Sequence, residues 1–256
     1  KFKMGDLEIE RVEKYKYLGE ILNETCSLKN HIAEIKGKAE AAYQTILSIA
    51  GDRNLKGVEM KTIWKLVETC IKPILTYSSE TWKVTKGDIK SYNQLLDNIL
   101  KRILMTPITT PRELLYLETG LLDLEHTMEI KQILMLNRLE RTKNDMISHV
   151  LNSKSKKNWK SRTINTMQKY TDANIQYFSK GVAKSMINRM VKQSQRVKMM
   201  EVGTVGVNPK KKVKFLVENF TTNSDGDIPK YITELSRIDA STIFKARTRM
   251  LDVKNN

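Results

Sequence analysis

Residues 28–49 read LKNHIAEIKGKAEAAYQTILSI, and their apolar members fall at Leu28, Ile32, Ile35, Ala39, Ala42, Ile46 and Ile49. Steps of four and three return to the same side of an α-helix, so this stretch predicts a helix with one narrow stripe facing a partner helix. Ser27 stands where a cap can close its first turn. Lys29, Lys36 and Lys38 lie off the stripe and read as a solvated face. The pattern recurs downstream. Val58, Ile63, Leu66, Val67, Cys70, Ile71, Ile74 and Leu75 predict a second helix, with Pro73 placed to end or kink it. A third follows Asp88, through Ile89, Tyr92, Leu95, Leu96, Ile99, Leu100 and Ile103. Three amphipathic helices on short loops make a small bundle.

Upstream of residue 28 the period changes to two. Phe2 and Met4, then Leu7 and Ile9 around Gly5-Asp6, predict a short hairpin. Tyr15 to Leu22 read as a second strand-like run, after which the sheet content stops. The fold class is therefore mainly α: a short N-terminal β-hairpin, a three-helix bundle and a basic helical C-terminal region.

Thr110-Pro111-Arg112-Glu113 predicts a helix start, with Thr110 as cap, Pro111 in the first helical position and Glu113 completing a capping box. Gly120 should stop that helix. A longer helix is expected over about 124–143, and Asp145 can cap a short one after it. Ser153 to Asn158 form a polar basic linker. The helix expected over 180–201 carries Val182, Met186, Met190, Val191 and Val197 as its apolar side, with Lys184, Arg189, Lys192, Arg196 and Lys198 over the remainder. Gly203 to Lys214 and residues 221–229 read as loops, followed by helical Tyr231 to Ser236 and a basic helix ending at Arg249.

Charge separates the two halves. Residues 1–128 hold 19 Lys and Arg against 18 Asp and Glu, whereas residues 129–256 hold 26 against 11. The whole chain carries +16 with a pI near 9.7, which points to a polyanionic partner. From Asn152 to Lys214, Asp172 and Glu201 are the only acids among sixteen bases, so the footprint is expected there. Lys184, Arg189, Lys192, Arg196 and Lys198, with Lys210, Lys211, Lys212 and Lys214, are the candidate phosphate contacts. Pro209 to Lys214 also resembles a nuclear import signal. No apolar run approaches the roughly 20 residues of a membrane span, so no membrane partner is expected.

Catalytic and metal-binding groups are not expected in this chain. Cys26 and Cys70 are isolated, which fits a reducing compartment, and no phosphate-cradling glycine motif is present. Asp225 and Asp227 are the nearest approach to paired carboxylates, but they sit in a Ser-Asp-Gly-Asp turn where both residue types serve the backbone. His31, His126 and His149 are far apart and read as structural or surface residues.

Tyr15-Lys16-Tyr17-Leu18-Gly19, then Ile21-Leu22, resembles the segment that follows the palm in LINE-type (non-LTR) retrotransposon reverse transcriptases. The order of later segments strengthens the likeness. His31-Ile32 and Ala41-Ala42-Tyr43 come next. Ile71 to Trp82 is similar to the Pro-Ile-Leu-x-Tyr-Gly-x-Glu-Thr-Trp stretch of that family, with Ser78 where Gly is usual. A helix tolerates Ser better than Gly, so a small local effect is expected. Leu115 to Gly120, Asn158-Trp159 and Ala246 to Leu251 resemble further family segments.

The resemblance implies an end of palm and primer-grip hairpin over residues 1–22, a thumb-like bundle over 23–106, a helical linker over 107–152 and a basic nucleic-acid-binding region over 153–256. Tyr17, Leu18 and Gly19 map onto the primer grip, Gly19 permitting its turn. It further implies a parent that is an RNA-directed DNA polymerase working with Mg²⁺, its palm aspartates upstream of Lys1 and a Cys/His knuckle downstream of Asn256. The chain itself would bind RNA template, DNA primer and target DNA without catalysing, hold no cofactor, act with a palm domain in cis, and reside in the nucleus after cytoplasmic synthesis. Both ends read as cut from something longer. Two alternatives stand beside this: a free-standing helical nucleic-acid-binding protein derived from such an element, and a helical protein-interaction scaffold built on the stripe from Leu28 to Ile49.

Overall fold

The chain opens with two tight hairpins that form separate two-stranded sheets. In the computed structural model, which describes residues 2–25, 27–49, 58–82, 86–142, 144–152, 158–173, 178–204, 210–220 and 229–250, β1 (Phe2–Met4) pairs antiparallel with β2 (Leu7–Ile9). Gly5 takes φ +62° in the intervening turn, a conformation open to glycine without steric cost. The run from Tyr15 to Leu22 is not one strand, as its alternation predicts. It folds back on itself as β3 (Lys14–Tyr17) and β4 (Glu20–Asn23), with Tyr17 opposite Glu20. Leu18 and Gly19 form the two-residue turn at φ +45° and +84°, the signs a tight hairpin needs to match strand twist.

α1 (Lys29–Ile49) lays Ile32, Ile35, Ala39 and Tyr43 in the core, with Leu28 and Ile46 at the edge. Tyr43 replaces the predicted Ala42, because both lie on the same arc and the longer side chain reaches deeper. The second helix is continuous through Pro73: α2 (Met60–Leu66) passes through a π-helical turn, Val67–Ile71, into α3 (Lys72–Leu75). A proline ring clashes with the carbonyl four residues back in a regular helix. The wider π turn relieves that clash without breaking the helix. α4 (Lys86–Ile103) completes the bundle, burying Tyr92, Leu96, Ile99, Leu100 and Ile103.

α5 (Arg112–Thr119) does not use the predicted capping box. Pro111 occupies the cap position, and the Thr110 hydroxyl donates to the Pro107 carbonyl at 2.6 Å. Glu113 accepts from Lys210 Nζ at 2.8 and 2.9 Å instead, since a full positive charge is a stronger partner than a backbone N–H. Gly120 ends α5 at φ +62°, as expected. α6 (Leu124–Arg141) is capped by Asp123, and α7 (Asp145–Leu151) by Asn144 rather than Asp145. α8 (Trp159–Gln168) is capped by Asn158.

α9 (Lys180–Thr204) and α10 (Lys211–Phe220) take in both ends of the stretch expected to be a loop. α11 (Lys230–Glu234) and α12 (Arg237–Arg247) follow. One continuous core runs from Ile32 to Met250, and a smaller one joins Leu122, Ile130, Ile133, Ile187 and Val191. The basic C-terminal region is therefore packed onto the bundle. The buried Arg237 donates to the Arg102 and Ile103 carbonyls, both at 2.7 Å, tying α12 to the end of α4. Buried Glu118 takes a two-pronged ion pair from Arg247 at 2.8 and 3.0 Å and a hydrogen bond from the Tyr231 hydroxyl.

Candidate nucleic-acid interface

The turn from Thr76 to Trp82 gathers the elements around it. Ser78, expected to sit in a helix, lies instead in this turn at φ +59°. Glycine would enter that conformation freely, and serine does so at a cost. Its hydroxyl donates to Glu20 Oε2 at 2.8 Å. The neighbouring Tyr77 hydroxyl donates to the Leu18 carbonyl at 2.5 Å. These bonds pin the second hairpin by its tip. A Cβ on Gly19 would lie 3.2 Å from the Tyr77 ring, so both the turn and the close approach favour glycine there. Tyr17 and Leu18 stay open to solvent at 57% and 76% exposure.

His31 completes the hairpin's seat. It is fully buried, its Nδ1 accepts from the Ile21 N–H at 3.3 Å, and its ring meets Trp82 edge-on at 5.1 Å. Burial lowers its pKa, against the opposing pull of Glu20 and Glu34. Glu34 bridges Lys16 of β3 and Lys38 of α1 at 2.7 and 2.5 Å. The two ammonium groups hold its carboxyl at about 2. On the other side of the turn, Lys131 Nζ donates to the Thr76 carbonyl, Gln132 to those of Ser79 and Trp82, and Trp159 Nε1 to that of Glu80.

The cations of α9 are sorted by an unexpected buried face. Ala183, Ile187, Val191, Gln195 and Met199 are buried in strict steps of four. The predicted apolar side is displaced by one residue, leaving Val182 and Val197 at 52% and 47% exposure. Gln195 belongs in the core because its amide is fully used, accepting from the Asp123 N–H at 2.9 Å and donating to the Leu121 carbonyl at 2.8 Å. Each of the first four buried residues is followed by a polar one: Lys184, Asn188, Lys192, Arg196. Arg189, Lys192 and Arg196 line one cavity of about 510 Å³ beside Tyr116 and Leu117 of α5. Among the described residues none of the three lies within ion-pairing distance of a carboxylate. Burial lowers the Arg196 pKa, against the pull of Glu118, and it keeps its charge at neutral pH.

Lys184 lies apart, in a second cavity of about 530 Å³ with Lys180, Arg138 and Arg141. Those three escaped the sequence reading, although Arg138 and Arg141 sit one turn apart at the end of α6, where a pair of arginines is itself a signal. Lys198 is exposed on α9 and lines neither cavity. The lysines of α10 divide. Lys210, just before it, is tied to Glu113, and Lys214 stands 3.7 Å from Glu218. Lys211 and Lys212 are exposed, while Val213 between them and Lys214 is fully buried. The segment resembling an import signal is thus helical and anchored from Lys211 onward, and Pro209 lies outside the described residues.

A third cavity, of about 800 Å³, is lined by Trp82, Asn93, Asp97, Arg112 and Arg162 among others. Arg112 reaches Asp123 at 3.1 Å and Asp97 at 3.5 Å, and Tyr116 donates to Asp97 at 2.7 Å. Burial pushes the Asp97 carboxyl up. Burial pushes Asp123 the same way, but hydrogen bonds from His126 and the nearby cationic charge outweigh it and hold Asp123 below the usual range. These groups hold α4, α5 and α6 together.

Among the described residues no three His, Cys, Asp or Glu side chains are placed to share a metal ion. Asp225, Asp227 and Cys26 lie outside the described residues, and His149 is exposed on α7. No helix among the described residues is long and apolar enough to cross a membrane. Comparison with protein-family models, with curated proteins and with solved structures returns no match for this chain.

Proposed function

We propose that this chain is the nucleic-acid-holding, non-catalytic part of a LINE-type reverse transcriptase, with its second hairpin as primer grip and its helices as thumb and linker. One observation carries the reading. The two segments with the strongest family likeness, Tyr15 to Leu22 and Ile71 to Trp82, lie 58 and 59 residues apart at their bonded positions and meet through Ser78–Glu20 and Tyr77–Leu18. A chance likeness in two short stretches has no reason to join them. In this reading the exposed Tyr17 and Leu18, beside Gly19 in the turn, face the primer, and the bundle holds the hybrid by its backbone and A-form shape. RNA template, DNA primer and target DNA are the partners, a palm domain in cis supplies the carboxylates, and Mg²⁺ belongs to that palm. Nuclear residence is part of the same proposal.

The test is binding and incorporation by the chain alone. It is expected to bind RNA–DNA hybrid duplexes more weakly as salt rises and to incorporate no nucleotide. Mg²⁺-dependent primer extension by the purified chain would overturn the reading. A second reading, a free-standing binding protein derived from such an element, is favoured by the continuous core from Ile32 to Met250. A stop and a start codon immediately flanking the coding sequence would select it.

A further inference from the structure

The cations that sequence order scatters over α6 and α9 fall along one line. In a helix, residues four apart form a ridge. Lys184, Asn188, Lys192 and Arg196 are such a ridge, lying directly beside the buried one from Ala183 to Met199. The cavity holding Lys184 and the cavity holding Lys192 and Arg196 open on successive lengths of that ridge. At the first, Arg138 and Arg141 of α6 and Lys180 of α9 add charge from both walls. The acid in that cavity, Glu80, stands 3.8 Å from Lys131, and Glu140 nearby is paired with Lys160 at 3.1 Å. Neither reduces the charge of the four outward cations. The aliphatic parts of Leu134 and Met135 line the same cavity.

We propose that the two cavities are one phosphodiester-binding track running along α9 from Lys180 to Arg196, with Arg138 and Arg141 as its far wall. This rests on the nucleic-acid reading above and gives it a site. At 1.5 Å per residue the track is about 24 Å long. A duplex advances 3.4 Å along its axis per base pair, so the track runs beside about seven base pairs. The chain therefore binds one duplex, and both ends of the track contribute to the same event.

The test uses the full chain and a 20-base-pair RNA–DNA hybrid, with affinity read against salt. Each phosphate contact contributes roughly 0.9 to the log–log slope for duplex DNA. Arg138→Gln/Arg141→Gln is expected to lower the slope by about 1.8, as is Lys192→Gln/Arg196→Gln, with one hybrid bound per chain. Lys180→Gln/Lys184→Gln repeats the first measurement from the opposite wall, so loss of fold in one variant leaves the other decisive. The track is overturned if the variants at its first end leave the slope unchanged while the Lys192/Arg196 pair lowers it. It is equally overturned if two hybrids saturate each chain. No binding at low salt by the unaltered chain would sink the nucleic-acid reading itself, and the track with it.

Discussion

Ser78 illustrates how a single residue can be misread. The apolar spacing through Leu75 continues as if helical, and nothing between Thr76 and Trp82 carries the glycine that would announce a turn. The structure places Ser78 at φ +59°, where a side chain costs roughly 1–2 kcal/mol, and compensates through its hydrogen bond to Glu20. The two effects are of similar size. Ser78→Gly is expected to leave stability within about 1 kcal/mol, whereas Ser78→Ala keeps the strain, loses the bond and costs about 1.5 kcal/mol. Equal melting temperatures for the two variants would contradict this balance. His31, read from the sequence as structural or surface, is fully buried, and neither its burial nor its partners are legible locally. Its pKa is lowered in the folded chain by burial, so the unfolded chain binds a proton more readily. Its contribution to stability is fully present above the unfolded value near 6.5 and is lost as pH falls through the lower folded value. Urea unfolding between pH 7 and 5 should show stability falling with pH, and less steeply in His31→Gln. Parallel profiles would remove His31 as the cause.

Elements were legible where one period ran uninterrupted. α1 and α4 follow their stripes, and Gly120 ends α5 where predicted. Errors arose where two partners compete for one residue. Glu113 suits a capping box locally, but Lys210, 97 residues away, outbids the backbone. α9 was read one residue out of phase because Gln195 looks like a surface residue and is a core one. Polar groups that satisfy themselves across a tertiary contact leave no local signature. Arg237 is the sharpest case: one of many cations in the sequence, it is buried and bonded to two carbonyls at the end of α4. Arg237→Met is expected to cost about 3 kcal/mol, since two buried acceptors lose a charged donor. A loss under about 1 kcal/mol in urea unfolding would show that the α4 terminus finds other partners.

For the whole molecule, the excess of cations lies in the second half, and packing selects among them. Lys210, Arg237 and Arg247 are spent on internal bonds, while Arg189, Lys192 and Arg196 line one open cavity and Lys180, Lys184, Arg138 and Arg141 another. Net charge alone treats these groups as equivalent. Lys210→Gln should therefore weaken hybrid binding less than Lys192→Gln does, with the two affinities compared at one salt concentration. The reverse order would place the interface at α10.

If the open cations hold a nucleic-acid backbone, as proposed, the affinity of the unaltered chain for a 20-base-pair RNA–DNA hybrid falls steeply across 50–200 mM salt. Arg138, Arg141, Lys180, Lys184, Arg189, Lys192 and Arg196, neutralising one phosphate each, correspond to a log–log slope near −6. A slope near zero, or no binding at 50 mM, would contradict it.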